Sequence, residues 1–318
     1  MLQRIGLLAI VAQIVFGLAN CRPVSAELPE AAQTKTTPLF RVPSYCEGVV
    51  FDHAGNGYVS WGKSITRFDQ KGQTIWAETG APNGHKVLAD GTHLVCDASH
   101  HAVLRLSADG KILEPPASDR CNGKPLRGPN DLSLDTPNGG FYFSDPGDSS
   151  LKNPIGTIHY VNAAGKTTLL DDGLAFPNGI VLTPDGKKLY LAESQKNRVL
   201  VYEVQGPGKL GMRKVFAELP KHPSGDLERN QPDGMCLDAA GNLYVAHYGM
   251  QQVQVLDPSG KLIRQYDGGN VTTSNVAFGG PKHDQLFITG GIQYGEGEGG
   301  VFRIDLGVPG LVILPTKR

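Results

Sequence analysis

The chain lacks the marks of several large protein classes. Its 318 residues carry 30 basic and 31 acidic groups. No basic stripe of the kind a phosphate backbone requires is present, so no nucleic-acid partner is expected. Aromatic residues make up only 7%, which speaks against the aromatic faces of an interaction platform. Cysteine is scarce at five, and no two have CxxC spacing, so zinc held on thiolates is not expected. No amphipathic helical pattern of ten or more residues interrupts the sequence. The one long apolar run, Ile5 to Ala19, stands at the very start.

That run follows Arg4 and leads to Val24-Ser25-Ala26, a small-residue site before Glu27. Residues 1–26 therefore read as a secretory signal peptide, with export to the periplasm or beyond, and no stable membrane span is expected after cleavage. A membrane anchor is the competing reading, because the run is near the lower edge of spanning length. A lesser one is lipidation at Cys21, since Leu18-Ala19-Asn20-Cys21 is like a lipoprotein box apart from the size of Asn20. Residues 27–38 read as a linker, and 39–318 as one domain. The mature chain has 28 basic and 31 acidic groups. An oxidising compartment permits Cys46, Cys96, Cys121 and Cys236 to pair in any of three ways; buried thiols are the alternative, which suits Cys96 and Cys236 inside apolar runs.

What is abundant is a repeat. From Cys46 onward a polar residue, usually followed by Gly, opens an apolar run; a turn with Asp, Asn or Gly and a second strand follow. Six such units open at Glu47-Gly48, Asn83-Gly84, Asn130-Asp131, Asn178-Gly179, Asp233-Gly234 and Asn275-Val276, at intervals of 36 to 55 residues. This spacing predicts an all-β fold, a six-bladed β-propeller. In a propeller, residues at one point of successive repeats form a ring around the axis. Glu47, Asn83, Asn130, Asn178, Asp233 and Asn275 would converge there, all bearing oxygen. Oxygen donors without His or Cys suit a hard cation, and two carboxylates neutralise a dication. Each dipeptide alone is an ordinary turn signal.

Four of these segments, Cys46-Glu47-Gly48, Gly128-Pro129-Asn130-Asp131, Phe176-Pro177-Asn178-Gly179 and Gln231-Pro232-Asp233-Gly234, resemble the metal-site signatures of the SMP-30/gluconolactonase/LRE-like family. The likeness runs from about Leu39 to Leu306. It implies a six-bladed propeller with one divalent ion in its funnel, Ca²⁺ favoured over Zn²⁺, Mg²⁺ or Mn²⁺, and hydrolysis of a small ester such as a sugar lactone. It also implies that Glu47, Asn178 and Asp233 are metal ligands, and that Asn130 coordinates the metal or contacts substrate. Sugar lactonases of the family often carry an Arg close before that Asn. Here Arg127 stands three residues ahead of it, so its register as a substrate contact is open.

In this reading Asp233 is the catalytic group, as general base toward water or as direct nucleophile, and sequence leaves both open. Asn83, His85 and Asn275 join Asn130 and Arg127 as candidate substrate contacts. His100, His101 and His247 read as loop or edge residues. The run Gly290-Gly291, Gly295, Gly297, Gly299-Gly300 opens no helix, so it reads as a loop of the last blade rather than a phosphate cradle. Two other functions share the fold: a non-catalytic NHL-like binding propeller, and a phosphotriesterase or arylesterase.

Overall fold

The computed structural model describes residues 27–295 and 297–311. The signal-peptide reading of 1–26 and the Cys21 reading lie outside the described residues. Strands form six antiparallel blades, each of four strands except the fourth, which carries an extra short one. Their innermost strands are Cys46–Phe51, Pro82–Val87, Leu132–Asp135, Pro177–Leu182, Gln231–Leu237 and Thr272–Gly279. Each packs against the next and the last against the first, so the six close around one axis. The fold is a six-bladed β-propeller.

The blades are stacked face to face, and one apolar cluster fills each of the six gaps. Phe51 and Phe68 meet Phe287 and Val301 between the first and last blades. Tyr190 and Ala192 meet Val245 and Leu256 between the fourth and fifth. Each fully buried large side chain contributes about 2 kcal/mol. A strand covered on both faces has no solvent side, so Pro177–Leu182 is buried at every position instead of alternating.

The circle is closed by the strand Thr36–Val42, which pairs antiparallel with Gly299–Asp305 and so completes the sixth blade from the other end of the chain. It removes what would be an unpaired edge. This strand begins inside the stretch read as a linker, and the residues before it are also engaged. Leu28 packs on the cluster between the fifth and sixth blades, and the Pro29 carbonyl accepts from Tyr266 Oη at 2.8 Å. The linker reading of 27–38 is corrected accordingly: Leu28 has an apolar face to cover, and the backbone from Thr36 has a partner.

Cys46, Cys96, Cys121 and Cys236 are free thiols. Cys46 Sγ lies 3.4 Å from the carbonyls of both Gly290 and Gly300, and burial pushes its thiol up to about 12. Among the described residues no helix is long and apolar enough to cross a membrane.

Candidate metal centre

The six opening residues all stand at the start of an innermost strand or just before it. In five blades the ladder to the next strand shifts register at this point, between Cys46 and Val49, Pro82 and His85, Pro177 and Ile180, Pro232 and Met235, and Thr273 and Asn275. A bulge interrupts the alternation of side chains between the two faces of a blade and re-aims the residue it carries. In the third blade the same place lies ahead of the strand, with Asn130 N donating to Ser144 O at 2.9 Å and Ser144 N to Asp131 O at 2.9 Å. Glycine makes the convergence possible. A Cβ on Gly48 would overlap the Asn83 carbonyl, and one on Gly234 would overlap the Asn275 side chain.

The ring is crowded with acceptors. Asn178 bonds the Asp233 carboxylate through its side chain, while Asn275 Oδ1 accepts from Val276 N at 2.9 Å. Glu47 Oε2 and Asn130 Oδ1 are buried with no hydrogen-bond partner. A buried acceptor left without a donor is costly, by about 1–3 kcal/mol. Two such acceptors among the residues that open the blades, with an all-oxygen donor set, fit a hard dication. Among the described residues no three His, Cys, Asp or Glu side chains are grouped as a metal site; the four candidate ligands are two carboxylates and two carboxamides.

Electrostatics point the same way. Burial, opposed by a hydrogen bond from Tyr45 and reinforced by the charge of Asp131, raises the Glu47 carboxyl to about 8. Burial, with the charges of Glu47 and Asp131, raises Asp233 well above the carboxylate range against the hydrogen bond from Asn178. Carboxyls buried beside like charge hold protons, which a cation would displace.

The remaining candidates part company here. Asn83 lies in the ring, its carbonyl against Gly48. His85 does not. The bulge ends at His85, restoring alternation, and its ring is buried between the first two blades, where Nε2 lies 2.7 Å from His93 Nδ1 and the imidazole stacks on Trp76. The substrate-contact reading of His85 is therefore corrected. Arg127 is exposed; its backbone N–H donates to the Asp145 carboxylate at 3.0 Å, and its stem covers Gly147. His101 Nδ1 donates to the Arg127 carbonyl at 2.9 Å. His247 is buried, donating from Nε2 to Asn197 Oδ1 at 2.9 Å and accepting from Gln254 at 3.1 Å.

Sequence reasoning missed Tyr45, Tyr248, Asp131 and Lys86. Tyr45 and Tyr248 meet edge to face at 6.2 Å, and the phenols of both feel the charges of Glu47 and Asp233. The Gly-rich hairpin of the sixth blade rises at this end of the molecule. There Tyr294 donates to Gly249 O at 3.0 Å under the Arg229 guanidinium, 4.3 Å above its ring. Glu298 pairs with Arg41 at 2.9 Å. The signal for Tyr45 was its place two residues before Glu47; for Asp131, its place within the second motif.

The model of the SMP-30/Gluconolactonase/LRE-like region matches residues 45–291. Among curated proteins, the chain is 29% identical over 168 residues to a pentonolactonase of Haloferax volcanii, covering 49% of this chain and 56% of that protein. It is 29% identical over 218 residues to a gluconolactonase of Zymomonas mobilis, covering 65% of this chain and 60% of the relative. The match thus spans less than two thirds of either relative's length. The solved structure of a gluconolactonase from Xanthomonas campestris superimposes with a TM-score of 0.73 at 24% identity, over 87% of this chain and 91% of that one, which shows a shared fold.

Proposed function

The chain belongs to the SMP-30/gluconolactonase/LRE-like family, and from that premise we propose that it is a metal-dependent lactonase that hydrolyses a small cyclic ester, a sugar lactone in the first instance. The observation that carries the reading is a pair of partnerless buried oxygens, Glu47 Oε2 and Asn130 Oδ1, on two of the six residues that open the blades, with Glu47 near enough to Asp233 for each carboxyl to feel the crowding and Asp233 hydrogen-bonded to Asn178. Glu47, Asn130, Asn178 and Asp233 would hold the ion, Ca²⁺ by the hardness of its donors. When bound, a dication supplies Lewis-acid polarisation of the ester carbonyl and stabilises the oxyanion formed on attack.

The chain's own groups do the rest. Asp233 orients the attacking water, takes its proton as the new C–O bond forms and returns it to the ring oxygen as the lactone C–O bond breaks, and the Asn178 hydrogen bond fixes the carboxylate for that role. Asn83 and Asn275 border the same space and offer polar contacts to the ring hydroxyls of a lactone. Tyr45 and Tyr248 wall one side and reduce access of bulk water. Export, read from residues 1–26, belongs to the same proposal and is checked by N-terminal sequencing of the protein recovered outside the cytoplasm.

The test is metal analysis of the purified protein, paired with a pH-indicator assay on sugar and aliphatic lactones and one phosphotriester, before and after chelation. Chelator-sensitive lactone hydrolysis is expected. Bound metal with phosphotriester turnover alone would move the assignment to the phosphotriesterase reading, and a protein without metal or hydrolysis would favour the binding platform.

A further inference from the structure

The proposed function uses two carboxylates of the central channel, but the channel holds a third, Asp131, and a cation, Lys86. Asp131 is 3% exposed. Its Oδ1 accepts from Leu132 N at 2.8 Å, its Oδ2 from Ile180 N at 3.2 Å, and Lys86 Nζ lies 4.0 Å from Oδ1. The charge of Asp131 reaches both Glu47 and Asp233. Both Asp131 oxygens already accept backbone N–H groups, so Asp131 is a neighbour of the candidate ligands rather than one of them.

Lys86 lies near the axis. Beyond the ring the channel continues as an apolar cavity walled by Val49, Phe51, Leu134, Val181, Met235 and Phe278, and among the described residues Lys86 is the one charged group that lines it. Its charge is felt by Cys96 of the second blade and Cys236 of the fifth. One ammonium in an apolar channel, beside one surplus carboxylate, has a clear electrostatic consequence. Without it the ring would present three negative charges to a cation; with it, two remain.

We propose that Lys86 is a built-in counter-ion for Asp131, which matches the channel to a single divalent cation. This rests on the metal reading above. Lys86 is a positioning residue, acting on the ion through charge alone, and it is set there by the chain itself: it follows His85 at the end of the second blade's bulge, on the strand side that carries Gly84 against Asp131.

The experiment titrates chelator-treated full-length protein with CaCl₂ and, separately, TbCl₃. Wild type should take up one Ca²⁺. In Lys86→Met the preference for Tb³⁺ over Ca²⁺ should rise by about tenfold or more, because ligand charge count sets cation affinity. In Lys86→Met/Asp131→Asn it should return to within about threefold of wild type. Asp131→Asn alone, which keeps Lys86, should shift the preference the other way, and this arm stands if Lys86→Met does not fold. An unchanged Tb³⁺/Ca²⁺ ratio in a folded Lys86→Met or in Asp131→Asn overturns the proposal while leaving the metal reading intact. Wild-type protein that binds no cation overturns both.

Discussion

Asp52 and Asp238 stand five residues beyond Glu47 and Asp233, just past the far end of the same two innermost strands. At that end each carboxylate is saturated. Asp238 Oδ1 accepts from Ala240 N and Asn242 N, both at 2.9 Å, and Oδ2 from Asn242 Nδ2 at 2.7 Å and Tyr244 Oη at 3.1 Å. Asp52 repeats the pattern with Ala54, Asn56 and Tyr58, and these bonds outweigh partial burial and lower its carboxyl. At the ring end, burial and like charge win instead, and Glu47 and Asp233 are raised. One strand thus carries a carboxylate with every lone pair used and another with an acceptor left open. The first kind holds a turn; the second is built for something the chain does not itself supply.

The comparison breaks hardest at the ring. Asp233→Asn or Glu47→Gln should lower lactone kcat/KM by about a thousandfold and cation affinity by at least about a hundredfold, since each removes a ligand charge. The melting temperature of either metal-free variant at pH 7 should stay close to that of metal-free wild type, because the raised carboxyl it replaces is already largely protonated there. At the turn the outcome should invert. Asp238→Ala leaves Ala240, Asn242 and Tyr244 without their acceptor and should cost about 2–3 kcal/mol in denaturant unfolding, with Ca²⁺ stoichiometry and KM unchanged.

A pH series sharpens the contrast. The Glu47 carboxyl, raised to about 8, binds its proton more tightly folded than unfolded. Its contribution is therefore present below the ordinary carboxylate range and lost as pH rises toward 8. The stabilisation gained by adding Ca²⁺, read as a shift in melting temperature, should grow from pH 5 to pH 8. The buried histidines act oppositely: burial lowers His93 and His159 to about 4 and His247 to about 3, so they destabilise the fold as pH falls below the ordinary histidine value near 6.5. The smallest effect on the site belongs to His247→Ala. It severs bonds to Asn197 and Gln254 and should lower stability while leaving Ca²⁺ affinity within about twofold, because its imidazole bonds these two residues and none of the candidate ligands.

The propeller was legible because six polar openings recur in one chain, and periodicity survives without any side-chain detail. The places of Glu47, Asn178 and Asp233 in the innermost strands were legible for the same reason. The bulge that re-aims them was not, because a register shift is a property of paired strands and leaves no mark on one strand alone. His85 was misplaced for that reason: adjacency to Asn83-Gly84 suggested the funnel, but with alternation restored its imidazole goes between blades to His93 and Trp76. Lys86 and Asp131 form a pair across two blades, 45 residues apart in sequence, and neither looks unusual until the ring closes. The stretch 27–38 looked like a linker, and only the open edge of Gly299–Asp305 gives its last residues, Thr36 to Pro38, a reason to join the closing strand.

The central claim, that the ring is completed by one dication, is tested most directly by calorimetric titration of chelator-stripped protein with CaCl₂ at pH 7, run in two buffers of different ionisation enthalpy. The account predicts a single site per chain and a net release of protons on binding, because the ion displaces protons that Glu47 and Asp233 hold in its absence. Binding of Ca²⁺ without proton release, or no binding of Ca²⁺, Mg²⁺, Mn²⁺ or Zn²⁺ at all, would contradict it.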